Sequence, residues 1–223
     1  LNSVGWSLFF EYIANILYAL GLRKLSKAAL AVLVCLAALA LAHLAITGPN
    51  GDVSGGWTLT AEQVQLGFTR MMYPFFAGLL LARVAKPTRI KHAFLWCSLM
   101  VGLVLYMPRI GGAEHLWMNG IYESLCIIFV FPLIVYLGAS GITQGHAERR
   151  ICKFLGDISY PLYLVHYPLV YFYVAWISNQ QGMTIGRAWP YALLILIGSM
   201  LLAYATLKWY DEPLRKWLRK KYG

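Results

Sequence analysis

The chain has 223 residues, 60% of them hydrophobic and only 13% charged, with a mean hydropathy of +0.60 and a formal charge of +10. An ordinary soluble domain carries about 25% charged residues, so this composition excludes one and describes a membrane protein. The positive charge raises nucleic acid as a partner, but the basic residues flank long apolar runs, which points to the membrane and not to nucleic acid.

A bilayer core about 30 Å thick needs about 20 mostly apolar residues per helix. Seven such runs follow one another, at 4–22, 28–46, 63–84, 92–108, 119–141, 154–178 and 189–210. An all-α, polytopic transmembrane helix bundle of about seven spans is expected, forming a single membrane-embedded domain over 1–223. The runs are long and continuous, unlike the alternating strands of a β-barrel. No fixed-period repeat is present.

Along the chain, the first run carries Glu11. The second, AALAVLVCLAALALAHLA, reads as a low-complexity, lipid-facing helix with His43 near its outer end. The longest outer loop, TGPNGDVSGGWTLTAE, reads as a Gly-rich linker with no core of its own. The third run holds Arg70 and the fifth Glu123. The sixth begins FLGDISYPLYLVHYPL, with Asp157 placed to cap its cytoplasmic end, Pro161 in its first turns and Pro168 set to kink it. Tyr160, Tyr163 and Tyr167 recur at i, i+3 and i+7, so one face of that helix presents hydroxyls. Such a stripe suits packing, and it also suits a polar ligand.

Sixteen of the 19 Lys and Arg gather on one side of the membrane, in the turns after the first and third runs, before the sixth, and at the carboxyl end. By the positive-inside rule the carboxyl terminus is cytoplasmic. Trp6, Trp57, Trp117, Trp176 and Trp189 fall near the outer interface, and Trp209 and Trp217 near the inner one. An odd number of spans puts Leu1 outside, which predicts an odd number of further helices upstream. Cys35, Cys97, Cys126 and Cys152 form no CxxC pair, and three lie within apolar runs, so neither a disulfide nor a metal site is inferred.

Ionisable groups at membrane depth cost a few kcal/mol or more, roughly, and each is a functional-site hypothesis. At 1.5 Å per residue, Glu11 and Arg70 lie ~10 Å from the outer ends of their runs and Glu123 ~6 Å, so the three share a level. They form either an ion network that clips three helices together, or such a network lining a substrate cavity. His166 lies ~18 Å in, where an imidazole can move a proton or simply donate to a neighbouring carbonyl. No HExxH, GxSxG, P-loop or GxGxxG pattern occurs. The residues alone describe a membrane protein with an outer-leaflet polar cluster and name no reaction.

FLGDISYPLYLVHYPL at 154–169 resembles the signature of the acyltransferase 3 family of integral-membrane acyltransferases. Four more segments agree in order: WSLFFEYIANILY at 6–18, FTRMMYPFFAGLLLAR at 68–83, FPLIVYLGASG at 131–141 and YDEPLRKWL at 210–218. The resemblance implies a bundle of about ten helices. It further implies transfer from cytoplasmic acyl-CoA, usually acetyl-CoA, to a hydroxyl of a cell-surface carbohydrate or another envelope acceptor at the inner (plasma) membrane. Glu11 and Trp6 match family motif positions, as do Asp157, Ser159, Tyr160, Pro161 and His166. Supporting catalytic roles are expected of Glu11, Arg70 and Glu123, the last two mainly on burial, and substrate-binding roles of Trp6, Tyr160, Tyr163 and His166. The family's functional His, preceded by a basic residue on its first helix, has no counterpart here. The expectation is that about three upstream helices complete the pocket and that this chain alone is inactive. Two other readings stay open: a transporter with Glu11, Arg70, Glu123 and His166 on a proton or solute path, and a non-catalytic membrane fragment.

Overall fold

The computed structural model describes residues 3–112, 114–143, 145–180, 182 and 184–222. Leu1, with its expected outer placement, lies outside the described residues. Helices occupy all seven expected segments: α1 (Ser3–Leu20), α2 (Lys27–Thr47), α3 (Ala61–Val84), α4 (Ala93–Tyr106), α5 (Leu116–Leu125) continuing into α6 (Phe131–Ala139), α7 (His146–Ser178), and α8 (Ile185–Thr206) continuing into α9 (Glu212–Tyr222). The fold is all-α, and its short strands β1 (Ile90–Lys91) and β2 (Gly141–Ile142) pair in parallel.

Two of the seven segments carry a feature the apolar pattern does not encode. A π-helical turn, Cys126–Val130, joins α5 to α6, and another, Leu207–Asp211, joins α8 to α9. Pro132 follows the first of these, so the helix there lacks one backbone donor. By length and composition, Lys27–Thr47, Leu116–Ala139 and Ile185–Tyr222 are long and apolar enough to cross a membrane, while α1 and α4 are apolar but shorter. Leu36, Leu39, Leu103, Leu105, Leu194 and Leu201 are each more than half exposed, a surface suited to lipid rather than to water.

Among the described residues the helices pack as two compact units, one within 5–143 and the other within 145–222 together with Val4. In the first, α2 is the packing centre. Leu30, Ala37, Leu41 and Ala45 form its buried stripe, against Val53, Tyr73 and Phe76. This corrects the lipid-facing reading of α2. Its alanines serve as close-approach residues between helices, since bilayer helices approach best where side chains are small. Gly120 of α5 illustrates the approach: a Cβ there would fall on the Ala45 carbonyl. Arg83, in the last turn of α3, donates to the carbonyls of Leu25 (2.5 Å), Leu22 (3.2 Å) and Arg23 (3.2 Å), and so fixes the turn between α1 and α2.

In the second unit α7 packs along α8, with Ile158, Ser199 and Ala203 buried. Trp176 lies against Tyr191 with ring centroids 4.8 Å apart. Helix α7 starts at His146, eight residues before the expected run, so Asp157 sits well inside it and caps nothing. Its carboxylate pairs with Lys153 at 2.8 Å, one turn earlier. Pro161 and Pro168 both lie inside this single helix.

Candidate functional site

The loop between α2 and α3, which the sequence presents as a featureless linker, is packed against the helices and buried in part. Gly51, Val53, Gly55 and Gly56 are all buried. Gly51, Gly55 and Gly56 take φ values of +60°, +132° and +83°, a region that residues with a Cβ avoid, which is why glycine stands there. Two sets of side chains pin the loop. On the α5 side, Asn119 donates to the Gly51 carbonyl at 2.6 Å, and the Glu123 carboxylate accepts from the Val53 backbone. Arg109 adds an ion pair to Asp52 at 2.8 Å and a hydrogen bond to the Asn50 carbonyl at 3.0 Å. On the α3 side, Arg70 donates to the Gly55 carbonyl, and the Gln63 side-chain oxygen accepts from Gly56 N–H at 2.7 Å and Trp57 N–H at 3.3 Å.

Under this roof, α1 and α3 border a half-open cavity of about 390 Å³, within the range of about 300–1,000 Å³ usual for small-molecule sites. Trp6, Phe10 and Glu11 line it from α1, Gly67, Arg70, Met71, Pro74 and Phe75 from α3, and Gly55, Gly56 and Trp57 from the loop. The two helices close at Gly67, where a Cβ would land on the Phe10 ring. Phe10 also meets Phe68 edge-on, with centroids 5.2 Å apart. Pro74 has no N–H to give the Arg70 carbonyl, so one lining acceptor lacks its helical donor.

Glu11 and Arg70, placed at one depth by counting, thus line one cavity, with Trp6 beside them. They form no ion pair among the described residues. Arg70 spends a donor on the loop instead, leaving the rest of its guanidinium and the exposed Glu11 carboxylate available to a ligand. Glu123 does not line the cavity. The charges that act on it are Asp52, Arg109 and Arg70, and its contact is with the loop. The arrangement therefore offers one carboxylate, one guanidinium and several aromatic walls, a set able to orient a hydroxyl-rich molecule and to stabilise negative charge developing on it.

Tyr163 and His166 lie in the other unit, where they line a groove of about 520 Å³ between α7 and α8. His166 Nδ1 is 2.9 Å from the Leu162 carbonyl, its own helix's preceding turn. Tyr167 stacks on Tyr171, and Tyr160 is half exposed and absent from the groove. The tyrosine stripe is therefore divided between different environments.

Sequence reasoning passed over Gly55, Gly56, Gln63, Gly67 and Asn119. The signal for the first two was present in the SGGW stretch, where paired glycines after a serine mark a backbone that must turn tightly. The others carry no signal outside the folded chain.

A family model described as an acyltransferase domain, of the acyltransferase 3 type, matches residues 1–208. No curated protein and no solved structure matches the chain.

Proposed function

The chain belongs to the acyltransferase 3 family of membrane acyltransferases, whose model covers residues 1–208 of 223, and from that premise we propose that it moves an acyl group, acetyl above all, from acyl-CoA to a hydroxyl of a cell-surface carbohydrate or another envelope acceptor. The observation that carries this reading is the roofed cavity in which Glu11 and Arg70 meet aromatic walls. Aromatic faces and a carboxylate suit a sugar, whose hydroxyls need acceptors and whose C–H faces need apolar contact.

In the transfer, the acceptor oxygen attacks the thioester carbonyl, its proton passes to a base, and the CoA thiol leaves with a proton. Glu11 holds the attacking hydroxyl by accepting its hydrogen bond. Arg70, held by the Gly55 carbonyl, places fixed positive charge where the carbonyl oxygen becomes negative. Trp6 supplies a stacking wall. Glu123 acts through the loop that it helps to hold. The histidine that the resemblance implies as the base is not among the lining residues described. Sixteen Lys and Arg at one side support a plasma-membrane protein with a cytoplasmic carboxyl terminus, on the side where acyl-CoA is available.

The test is transfer of label from radioactive acetyl-CoA, using membranes that carry the full gene product together with envelope extract. Label in carbohydrate that disappears with Glu11→Gln and Arg70→Gln is the expected result. Absence of any transfer, alongside proton-coupled uptake of a solute, would instead establish the transporter reading.

A further inference from the structure

The groove between α7 and α8 is built from acceptors. Ser159 donates its hydroxyl proton to the Gly156 carbonyl at 2.8 Å, Ser199 to the Ile195 carbonyl at 2.7 Å, and Tyr173 to the Ala188 carbonyl at 3.0 Å. A carbonyl can only accept, so the ring nitrogen of His166 facing the Leu162 carbonyl at 2.9 Å carries the proton. In the neutral imidazole that leaves Nε2 as a lone pair. Each of these four side chains has committed its donor to backbone and retains only acceptor capacity. Tyr163, 37% exposed with its ring centroid 6.2 Å from that of His166, is the one lining hydroxyl with no such bond among the described residues.

The remaining walls are Leu162, Val170, Ala192, Ile195 and Leu196. Ser159 and Tyr173 lie 14 positions apart on α7, so the groove extends ~21 Å along the helix. A long apolar groove with a lone pair midway along it and flanking acceptor oxygens fits a molecule with an apolar tail and a donor head. Among the described residues no carboxylate lines it to balance an ammonium, so the donor head is uncharged, and a hydroxyl is the simplest uncharged donor.

We propose that the α7–α8 groove is a binding site for a hydroxyl-headed amphiphile of the membrane, whose O–H donates to Nε2 of His166. This inference is independent of the acyl-transfer reading: a chain that bound such an alcohol without transferring any acyl group would leave it intact.

The experiment uses the whole protein in phosphatidylcholine nanodiscs, labelled with a diazirine-bearing oleyl alcohol and mapped by mass spectrometry. Label should fall on α7 and α8, and unlabelled oleyl alcohol should displace it at least about tenfold better than oleyl methyl ether, which has the same tail and no donor. His166→Phe should erase that preference, and Phe172→Leu, outside the groove, should keep it. Equal competition by alcohol and ether on the unmodified protein overturns the proposal without recourse to any variant. So does label spread evenly over the lipid-facing helices.

Discussion

The Tyr73 hydroxyl donates to the Ile128 carbonyl at 2.6 Å, and Ile128 is the residue four positions before Pro132, to which Pro132 can give no hydrogen bond. One helix thereby satisfies an acceptor that another has lost its regular donor for. Tyr73 is 4% exposed, and no water stands ready in a bilayer to replace it. Tyr73→Phe should therefore cost about 1–3 kcal/mol, the penalty of an unsatisfied buried acceptor. Tyr136→Phe removes a longer, exposed bond to the Lys86 carbonyl, at 3.2 Å, and should stay within about 0.5 kcal/mol. Denaturant titration in detergent distinguishes the two.

Three glycines give a graded test of helix approach. A Cβ at Gly120 meets the Ala45 carbonyl, one at Gly67 meets the Phe10 ring, and one at Gly102 meets nothing within 4 Å. Gly120→Ala presses on backbone, which cannot yield, and should lose about 1–3 kcal/mol. Gly67→Ala presses on a side chain, so Phe10→Leu in the same chain should recover part of the loss. Gly102→Ala should stabilise by up to about 1 kcal/mol through helix propensity alone. Equal melting shifts for all three would remove the close-approach account of α2, α3 and α5.

The helices were legible because apolar runs of bilayer length have few other structures open to them. Which face of a run meets protein was not. In α2 both faces are apolar, one for lipid and one for Tyr73 and Phe76, so no polar stripe marks the buried side. Asp157 misleads for a related reason. The apolar run marks where α7 becomes apolar, whereas the helix itself begins in the basic stretch from His146. Depth arithmetic brought Glu11 and Arg70 to one cavity, since rise along a helix is fixed. It misplaced Glu123 as a third lining charge, because rotation about the helix axis depends on packing, and the packing here turns that carboxylate to the loop.

The loop itself should respond to Arg70. Its guanidinium bonds the Gly55 carbonyl across 15 residues of sequence, and Gly55 and Gly56 both line the cavity. A lysine keeps the charge but presents a compact ammonium in place of the planar fork. Arg70→Lys is expected to speed proteolysis between residues 50 and 58 severalfold and to lower transfer by at least about tenfold, the worth of one charge-assisted bond. If Arg70→Lys leaves loop protection and transfer untouched, the guanidinium does not hold the roof.

Glu11 and Glu123 then separate chemistry from support. Glu11 is exposed at the cavity and its side chain has no bonded partner among the described residues, so Glu11→Gln should leave the melting temperature nearly unchanged. Its effect should fall on kcat/KM for the acceptor, by about 10²–10³, since an amide neither accepts as strongly nor carries charge. Glu123 accepts from the Val53 backbone, beside the ion pair of Asp52 with Arg109. Glu123→Gln keeps an acceptor but loses the charge that makes the bond strong, and should cost about 1–2 kcal/mol of stability. It should raise acceptor KM through a looser roof and spare kcat. Steady-state kinetics paired with thermal unfolding resolves the two cases. A Glu123→Gln enzyme with normal stability and collapsed kcat would move that carboxylate back into the reacting centre, and with it the boundary of the active site.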